Sequence, residues 1–204
     1  MATTVKINYR KLATSIASNP QTVKRINTIF NNKFAVAKEE LIQAFINHDV
    51  TKEIKGGEGQ STNSSGTLGG YGNLFSFLGF ENGSDPINPV VDLLRAEFRI
   101  YRRYLRGVEI ANKAVIQVSY SRKSPRAKLE EVTALPWTNE SWLFGIEKGI
   151  SGFNRYLNRK LGIPKSRSGT GIQVKHDNLR SGEFKPVDYY EALLREFDQK
   201  FARS

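Results

Sequence analysis

The residue types that most often perform chemistry are sparse in this sequence. The chain of 204 residues has two histidines, His48 and His176, and no cysteine, which excludes thiolate catalysis and disulfides. No His-Glu-x-x-His or Cys-x-x-Cys spacing occurs, so the pattern of a zinc site is missing. In the run Gly149–Gly152 a glycine follows the serine directly, unlike the Gly-x-Ser-x-Gly turn that carries a nucleophile. We therefore expect no catalytic residues and no metal site.

Two pairs of carboxylates and one Gly-rich stretch are the other candidates for a site. The pairs Glu39/Glu40 and Glu130/Glu131 fall where solvated helix faces are expected, and a catalytic role is the weaker interpretation. The segment Gly56–Gly72 is rich in glycine, but no Gly-Lys-Ser/Thr follows it, so the phosphate-binding loop pattern is incomplete. We expect no cofactor and a protein that is not an enzyme.

The most suggestive pattern is basic and aromatic. Residues Phe98–Arg106 read FRIYRRYLR, and the net charge of +11 is concentrated after residue 98. One interpretation is a strand with arginines on its solvated face; the others are a nucleic-acid surface and salt bridges across a protein interface. The predicted basic surface consists of Arg99, Arg102, Arg103, Arg106, Arg155, Arg159, Lys160 and Arg167.

A second set of residues is apolar or small and predicts close contacts. The stretch Leu135–Gly152 holds both tryptophans and three glycines, and it predicts either core anchors with turns or a tight contact with another copy or a partner. The octapeptide Asn73–Phe80 predicts either a core strand or turn, or an anchor that docks into an adjoining chain. The candidate interface residues are Leu74, Phe75, Phe77, Phe80, Trp137, Trp142, Gly145, Gly149 and Gly152.

The elements that position these residues follow from hydrophobic periodicity. We predict an α+β fold in which a long N-terminal helix packs on a small antiparallel sheet, with further helices and a Gly-rich extended loop. The predicted elements are a helix of about 28 residues from Pro20 with Asn19 as its N-cap, a short strand at Val50–Ile54, helices from Asn88, Ser124 and Pro186, and a hairpin of Phe98–Arg106 with Lys113–Ser121.

Length and composition favour one domain, 1–204, with a flexible Gly-rich arm at about 56–72. No run of about 18 apolar residues occurs, so we expect no membrane contact. The lack of cysteine suits a reducing compartment such as a cytoplasm.

Four stretches together resemble a known family. They are the long N-terminal helix, NLFSFLGF with GSDPINP (Asn73–Phe80 and Gly83–Pro89), LPW…SW…GIEKGISG (Leu135–Gly152) and SRSGTGIQ (Ser166–Gln173). The combination resembles the virion structural proteins of tailed bacteriophages that sit between portal and tail, the neck or tail-completion group. The resemblance covers most of the chain and rests on pattern.

The resemblance implies an α+β subunit that assembles as a homo-oligomeric ring around the DNA channel. Its expected partners are other copies of itself and neighbouring portal, connector or tail proteins, with packaged DNA nearby. The expected location is the neck of a virion made in a host cytoplasm. In such a ring, we expect the basic surface to face an acidic neighbouring ring rather than bare DNA. The alternative function is a basic nucleic-acid-binding protein.

Overall fold

A computed structural model describes residues 7–57, 65–67, 74–135, 139–149 and 186–203. The fold class is α+β, as predicted. In the described residues the elements are α1 Tyr9–Ser18, α2 Pro20–Asn47, α3 Asp49–Lys55, α4 Leu74–Phe77, α5 Asn88–Glu97, β1 Arg99–Ile110, β2 Lys113–Lys123, α6 Arg126–Val132, α7 Trp142–Lys148 and α8 Tyr190–Arg203. No described helix is both long enough and apolar enough to cross a membrane.

Contacts within the chain divide it into two compact units, where the sequence predicted a single domain. The hairpin unit comprises Met1–Val36 and Phe98–Ser124, and the helical unit comprises Ala37–Glu97 and Pro125–Ser204. Helix α2 contributes residues 20–36 to the first unit and its remainder to the second.

Helix α2 begins and ends where the sequence predicted. Pro20 occupies its first position, and the Asn19 side chain accepts hydrogen bonds from Gln21 N and Thr22 N at 2.9 and 3.2 Å. The cap satisfies amide groups that no earlier turn can satisfy, and proline has no amide to leave unpaired. The 28 residues form one uninterrupted helix.

The hairpin predicted from alternation is also present. Strands β1 and β2 pair antiparallel, and Ile110 and Lys113 close a two-residue turn. The turn residues Ala111 and Asn112 both have positive φ, 49° and 57°. Two consecutive left-handed residues give the turn whose twist matches that of the paired strands. The turn therefore lies beyond Gly107, which is part of strand β1.

Gly107 instead allows helix α1 to pack on the sheet. A Cβ atom at this glycine would lie 2.3 Å from the backbone carbon of Ala13, 2.4 Å from its carbonyl oxygen and 2.5 Å from Thr14 N. Real side chains do not approach backbone so closely, so a residue with a side chain here must displace α1. Ala13, opposite the glycine, is fully buried.

The predicted strand at Val50–Ile54 is wrong, because these residues belong to helix α3. Val50, Thr51, Glu53 and Ile54 are buried, which is the one-face spacing of a helix and not of a strand. The His48 side chain accepts from Val50 N at the start of α3, and Asp49 places a negative charge in the first turn. A five-residue window with only two apolar residues, Val50 and Ile54, did not distinguish the two structures.

A buried carboxylate in the helical unit holds one residue of the Gly-rich segment and the first residue of helix α4. Glu53 is 1% exposed, and it accepts hydrogen bonds from Ser65 N at 3.1 Å, from Ser65 Oγ at 2.5 Å and from Leu74 N at 3.0 Å. Thr67, which follows, is buried. Residues 65–67 of the predicted arm are thus anchored to the chain's own helix, and residues 58–64 and 68–73 lie outside the described part.

The aromatic residues of the helical unit form its core. Trp142 is 1% exposed and its ring meets that of Phe80 edge-on at 6.1 Å. Phe45 stacks on Tyr189 at 5.5 Å, and the Tyr189 hydroxyl bonds to Thr51 Oγ1 at 2.5 Å. The last helix, α8, buries Tyr190, Leu194, Phe197 and Phe201. This unit has an extensive interior of its own.

The close approach at Gly107 gives a testable prediction. Gly107→Ala should destabilise the protein by about 1–3 kcal/mol, because overpacking against backbone atoms cannot be relieved by a rotamer change. Thermal unfolding and hydrogen exchange of the α1 amides would measure the effect, and exchange in α1 should increase.

Gly83→Ala is the matched control. Gly83 has a φ of 79° with no atom within 4 Å of an added Cβ, so this change introduces backbone strain of about 1 kcal/mol without a clash. Unchanged amide protection of α1 in Gly107→Ala would show that the helix does not rest on this glycine.

Candidate functional site

Strand register sorts the hairpin side chains onto two faces. Pairs such as Tyr104–Ser119 and Arg106–Gln117 lie on one face, and pairs such as Arg103–Tyr120 lie on the other. We call the first the outer face. Its exposed side chains are Arg99, Tyr101, Arg102, Tyr104, Arg106, Ile110, Lys113, Gln117, Ser119, Ser121 and Lys123.

An irregularity in β1 brings the arginines of this face together. The register shifts between Ile100 and Arg102, with Tyr101 as the extra residue. A bulge of this kind reverses the alternation of side chains along a strand. Because of it, Arg99 and Arg102 share the outer face although three positions separate them. Strict alternation would have placed them on opposite faces.

The outer face is uniformly basic. It carries Arg99, Arg102, Arg106, Lys113 and Lys123, and the only carboxylate of the hairpin, Glu109, belongs to the other register. Among the described residues, no salt bridge joins any of these five cations to a carboxylate. Like charges without partners repel one another and attract anions to the face.

Arg103, predicted as part of the basic surface, lies on the inner face and has a structural role. Its guanidinium stands 4.9 Å above the Phe30 ring, and its Nη1 donates to Asn31 Oδ1 at 3.0 Å. Tyr120, the register partner of Arg103, meets the same Phe30 ring edge-on at 5.6 Å. The arginine thereby holds α2 against the sheet. Arg155, Arg159, Lys160 and Arg167 lie outside the described residues.

Most of the predicted apolar interface is core of the helical unit. Leu74, Phe75, Phe80 and Trp142 are at most 5% exposed, which favours the core interpretation over an anchor for another chain. Residues 74–80 of the octapeptide form the short helix α4 and a turn. Phe77 is half-buried. Trp137 and Gly152 lie outside the described residues.

Of the two described glycines in the stretch Leu135–Gly152, Gly145 lies within helix α7 and Gly149 follows its last residue. Gly149 ends the helix with a φ of 84°, a conformation that favours glycine, so the stretch is a short helix followed by a break. Gly145 and Gly149 both line a surface groove of about 360 Å³ with Glu130 and Lys148. A close approach of another backbone at these glycines stays a prediction.

Exposed apolar side chains on α1 and α2 were missed by the sequence analysis. Leu12 and Ile16 on α1 are 45% and 37% exposed, and Ile29 and Val36 on α2 are 49% and 61% exposed. On α2 they fall off the buried stripe that contains Phe30 and Phe34. The sequence does indicate them, because these apolar residues depart from the amphipathic pattern of their helices.

The histidine near the end of α2 has a structural environment. His48 Nδ1 accepts from Val50 N at 3.3 Å, and its ring centroid lies 4.6 Å from that of Tyr189. Burial lowers the pKa of His48, while a hydrogen bond with the Asp188 backbone and the charges of Asp49 and Glu196 oppose the change. Lys52 adds to the lowering. The neutral ring serves as a helix cap.

The part of the chain that the structure describes holds no other arrangement typical of a catalytic or metal site. No group of three or more His, Cys, Asp or Glu side chains is placed to hold a metal ion there. An open cleft of about 990 Å³ runs between α1 and the hairpin, with Arg10, Thr14, Glu109 and Asn112 among its walls. It presents charges of both signs and no nucleophile next to a base.

Comparison with known proteins adds no family. No protein-family model, no curated protein and no solved structure is significantly similar to this chain.

The two faces of the hairpin predict different roles for adjacent arginines. Arg103→Gln should lower the free energy of unfolding by about 1–2 kcal/mol, because it removes both a cation–π contact and a hydrogen bond. Arg102→Gln removes the same charge from an exposed position and should change stability by less than about 0.5 kcal/mol. Urea denaturation of both variants tests the assignment, which equal effects would contradict.

The lowered pKa of His48 predicts a pH dependence of stability. A group whose pKa is lower in the folded state binds protons more readily when unfolded, so its contribution is present above the ordinary pKa of 6.5 and is lost as the pH falls below it. The free energy of unfolding should therefore decline from pH 7 to pH 5.

His48→Asn keeps a capping acceptor without a titrating group and should flatten this decline. His176→Asn is the matched control and should leave it in place. Burial raises the pKa of Glu147, so this group also makes stability depend on pH. Its contribution cancels in the comparison, because both variants retain Glu147. An unaltered decline in His48→Asn would assign it to other groups.

Proposed function

We propose that this protein is a non-enzymatic structural protein of a phage virion. In this proposal it forms a homo-oligomeric ring in the neck or tail-completion region and joins the head, at the portal, to the tail around the DNA channel. The kind of virion protein comes from the resemblance of the four stretches quoted above. Support for assembly comes from one observation about the hairpin unit, the distribution of its apolar side chains.

The hairpin unit has little core of its own. Ala13, Phe34 and Phe98 are its buried apolar residues among those described. All exposed large apolar residues of the described chain except Val132 belong to this unit. They are Ile7, Leu12, Ile16, Ile29, Val36, Tyr101, Tyr104 and Ile110. Tyr101, Tyr104 and Ile110 belong to the outer face, and the other five lie on α1, on α2 or just before α1. An exposed apolar surface formed by these five is typical of a surface that another protein covers.

The positions of these residues suit helix-to-helix contact. Leu12 and Ile16 are four apart on α1, and Ile29 and Val36 are seven apart on α2, spacings that place each pair on one helical face. Fully burying side chains of this size stabilises a complex by about 1.5–3 kcal/mol each before the cost of association is subtracted. Four such residues are a substantial contribution to an interface between copies.

The sheet gives the same indication. In the described residues it has only two strands, which depend on their helices for stability because a two-stranded hairpin alone is marginally stable in water. Additional contacts from neighbouring subunits would stabilise it. A contact between different surfaces of successive copies closes into a ring when the rotation between them allows it.

Ring formation is tested by the mass and shape of the purified protein. Light scattering and electron microscopy should find rings, or a monomer that forms rings when portal or tail proteins are added. The double variant Ile29→Gln/Val36→Gln should stay folded but lose or weaken assembly at least tenfold, because its interface would bury polar amides in place of apolar groups.

Val132→Gln is the control, an exposed apolar residue of the helical unit that should assemble like the wild type. Two results would contradict the proposal. One is a wild-type protein that remains monomeric with and without those partners. The other is a double variant that assembles normally.

A further inference from the structure

We propose that the outer face of the hairpin binds the sugar–phosphate backbone of duplex DNA without reading its sequence. The face extends over both strands, from Arg99 and Lys123 at the open end to Lys113 beside the turn. The inference deepens the proposed function and rests on it in one respect. A ring around the DNA channel would place duplex DNA, and no other nucleic acid, within reach of the face. The binding surface itself is argued from the hairpin alone.

The chemistry of the face matches phosphate contacts. Besides its five cations it presents the hydroxyls of Tyr104, Ser119 and Ser121 and the amide of Gln117, all exposed. Arginine, lysine, serine, glutamine and tyrosine are the side chains that donate to phosphate oxygens in protein–DNA complexes. No exposed carboxylate shares the face to repel a phosphate.

The dimensions of the face match those of a duplex. At about 3.3 Å per residue, strand β1 is about 36 Å long, which is close to the 34–36 Å of one turn of B-DNA. The cations Arg99, Arg102 and Arg106 are distributed along the strand instead of converging on one point. A distributed set can meet several phosphates, whereas a single small anion would need a convergent set.

Duplex DNA fits the face better than a single strand does. Single-stranded nucleic acid is held largely by bases that stack on exposed aromatic rings. The Arg102 guanidinium already covers one face of Tyr101, at 5.2 Å from the ring centre. Tyr104 is then the one exposed ring of the face without such a cover among the described residues, and a single ring is a poor platform for successive bases.

Duplex DNA also fits better than an acidic protein surface, which the sequence analysis favoured. Protein interfaces have an apolar centre, and lysine is depleted from them. The apolar residues of the outer face, Val108, Ile110 and Val115, lie near the turn, and the rest of the face is polar or charged. A face composed of donors and cations suits a phosphate backbone.

The test compares two variants of the full chain with the same loss of charge. Arg102→Gln/Arg106→Gln/Lys123→Gln removes three cations from the outer face. Lys52→Gln/Lys55→Gln/Lys200→Gln removes three exposed lysines from the helical unit. Fluorescence anisotropy with a labelled 30-base-pair duplex, with the matching single strand and with polyglutamate would give affinities over a series of NaCl concentrations.

The outer-face variant should bind the duplex at least tenfold more weakly at 100 mM NaCl. Its slope of log K against log salt should be shallower by about 2–3, since each phosphate contact contributes about 0.9. The control variant should stay within about threefold of the wild type. Wild-type protein should prefer the duplex to the single strand and to polyglutamate.

Several results would overturn the inference. They are an absence of duplex binding by the wild type, equal losses in the two variants, a preference for the single strand, and a loss confined to polyglutamate. Light scattering on the same samples separates this inference from the proposed function. If the protein binds DNA through the outer face but never assembles, the binding surface is supported and the proposed ring is contradicted.

Discussion

The absence of a side chain at Gly107 is the constraint on which the hairpin unit depends. Because a Cβ there would lie 2.3 Å from the backbone of Ala13, the glycine lets α1 rest directly on β1. That contact fixes which face of the sheet is covered. Arg103, stacked on Phe30, then holds α2 over the same face. Once two helices occupy one side, the register leaves the remaining cations and tyrosines in solvent, so a packing contact determines the composition of the outer face.

The two units differ in what stabilises them. The helical unit has a continuous interior with Trp142 and Tyr189 at its centre, and its buried Glu53 is fully provided with donors from Ser65 and Leu74. The hairpin unit buries few apolar side chains and exposes several large ones. Conformational entropy opposes folding in both, and burial of apolar surface is the main term against it. The proposed assembly would bury apolar surface of the hairpin unit against other copies, whereas the helical unit buries its apolar surface in its own interior.

Much of the fold could be predicted from the sequence, wherever a pattern repeated often enough. Helix α2 has seven apolar positions in register and a strong cap, and strand β2 alternates half-buried and exposed residues from Ile116 to Lys123. Helix α3 is too short for its period to be read, and it was taken for a strand. The site was predicted only in part. The aromatic and basic residues of β1 were correctly singled out, but a one-residue register shift is invisible in the sequence. It decides that Arg102 faces solvent while Arg103 packs on Phe30.

In the proposed ring, the positive charge of the outer face affects the assembly that the exposed apolar residues of α1 and α2 would mediate. Five cations per subunit without carboxylate partners on the face would be brought near those of neighbouring copies, and their repulsion opposes closure. Phosphates within the channel would reduce this repulsion, so a ring of this protein should be more stable around DNA than without it. The same repetition makes weak contacts effective, because each copy that binds raises the local concentration of the next face at the duplex. A sequence-independent surface used in many copies is suited to a part that must hold DNA of any sequence.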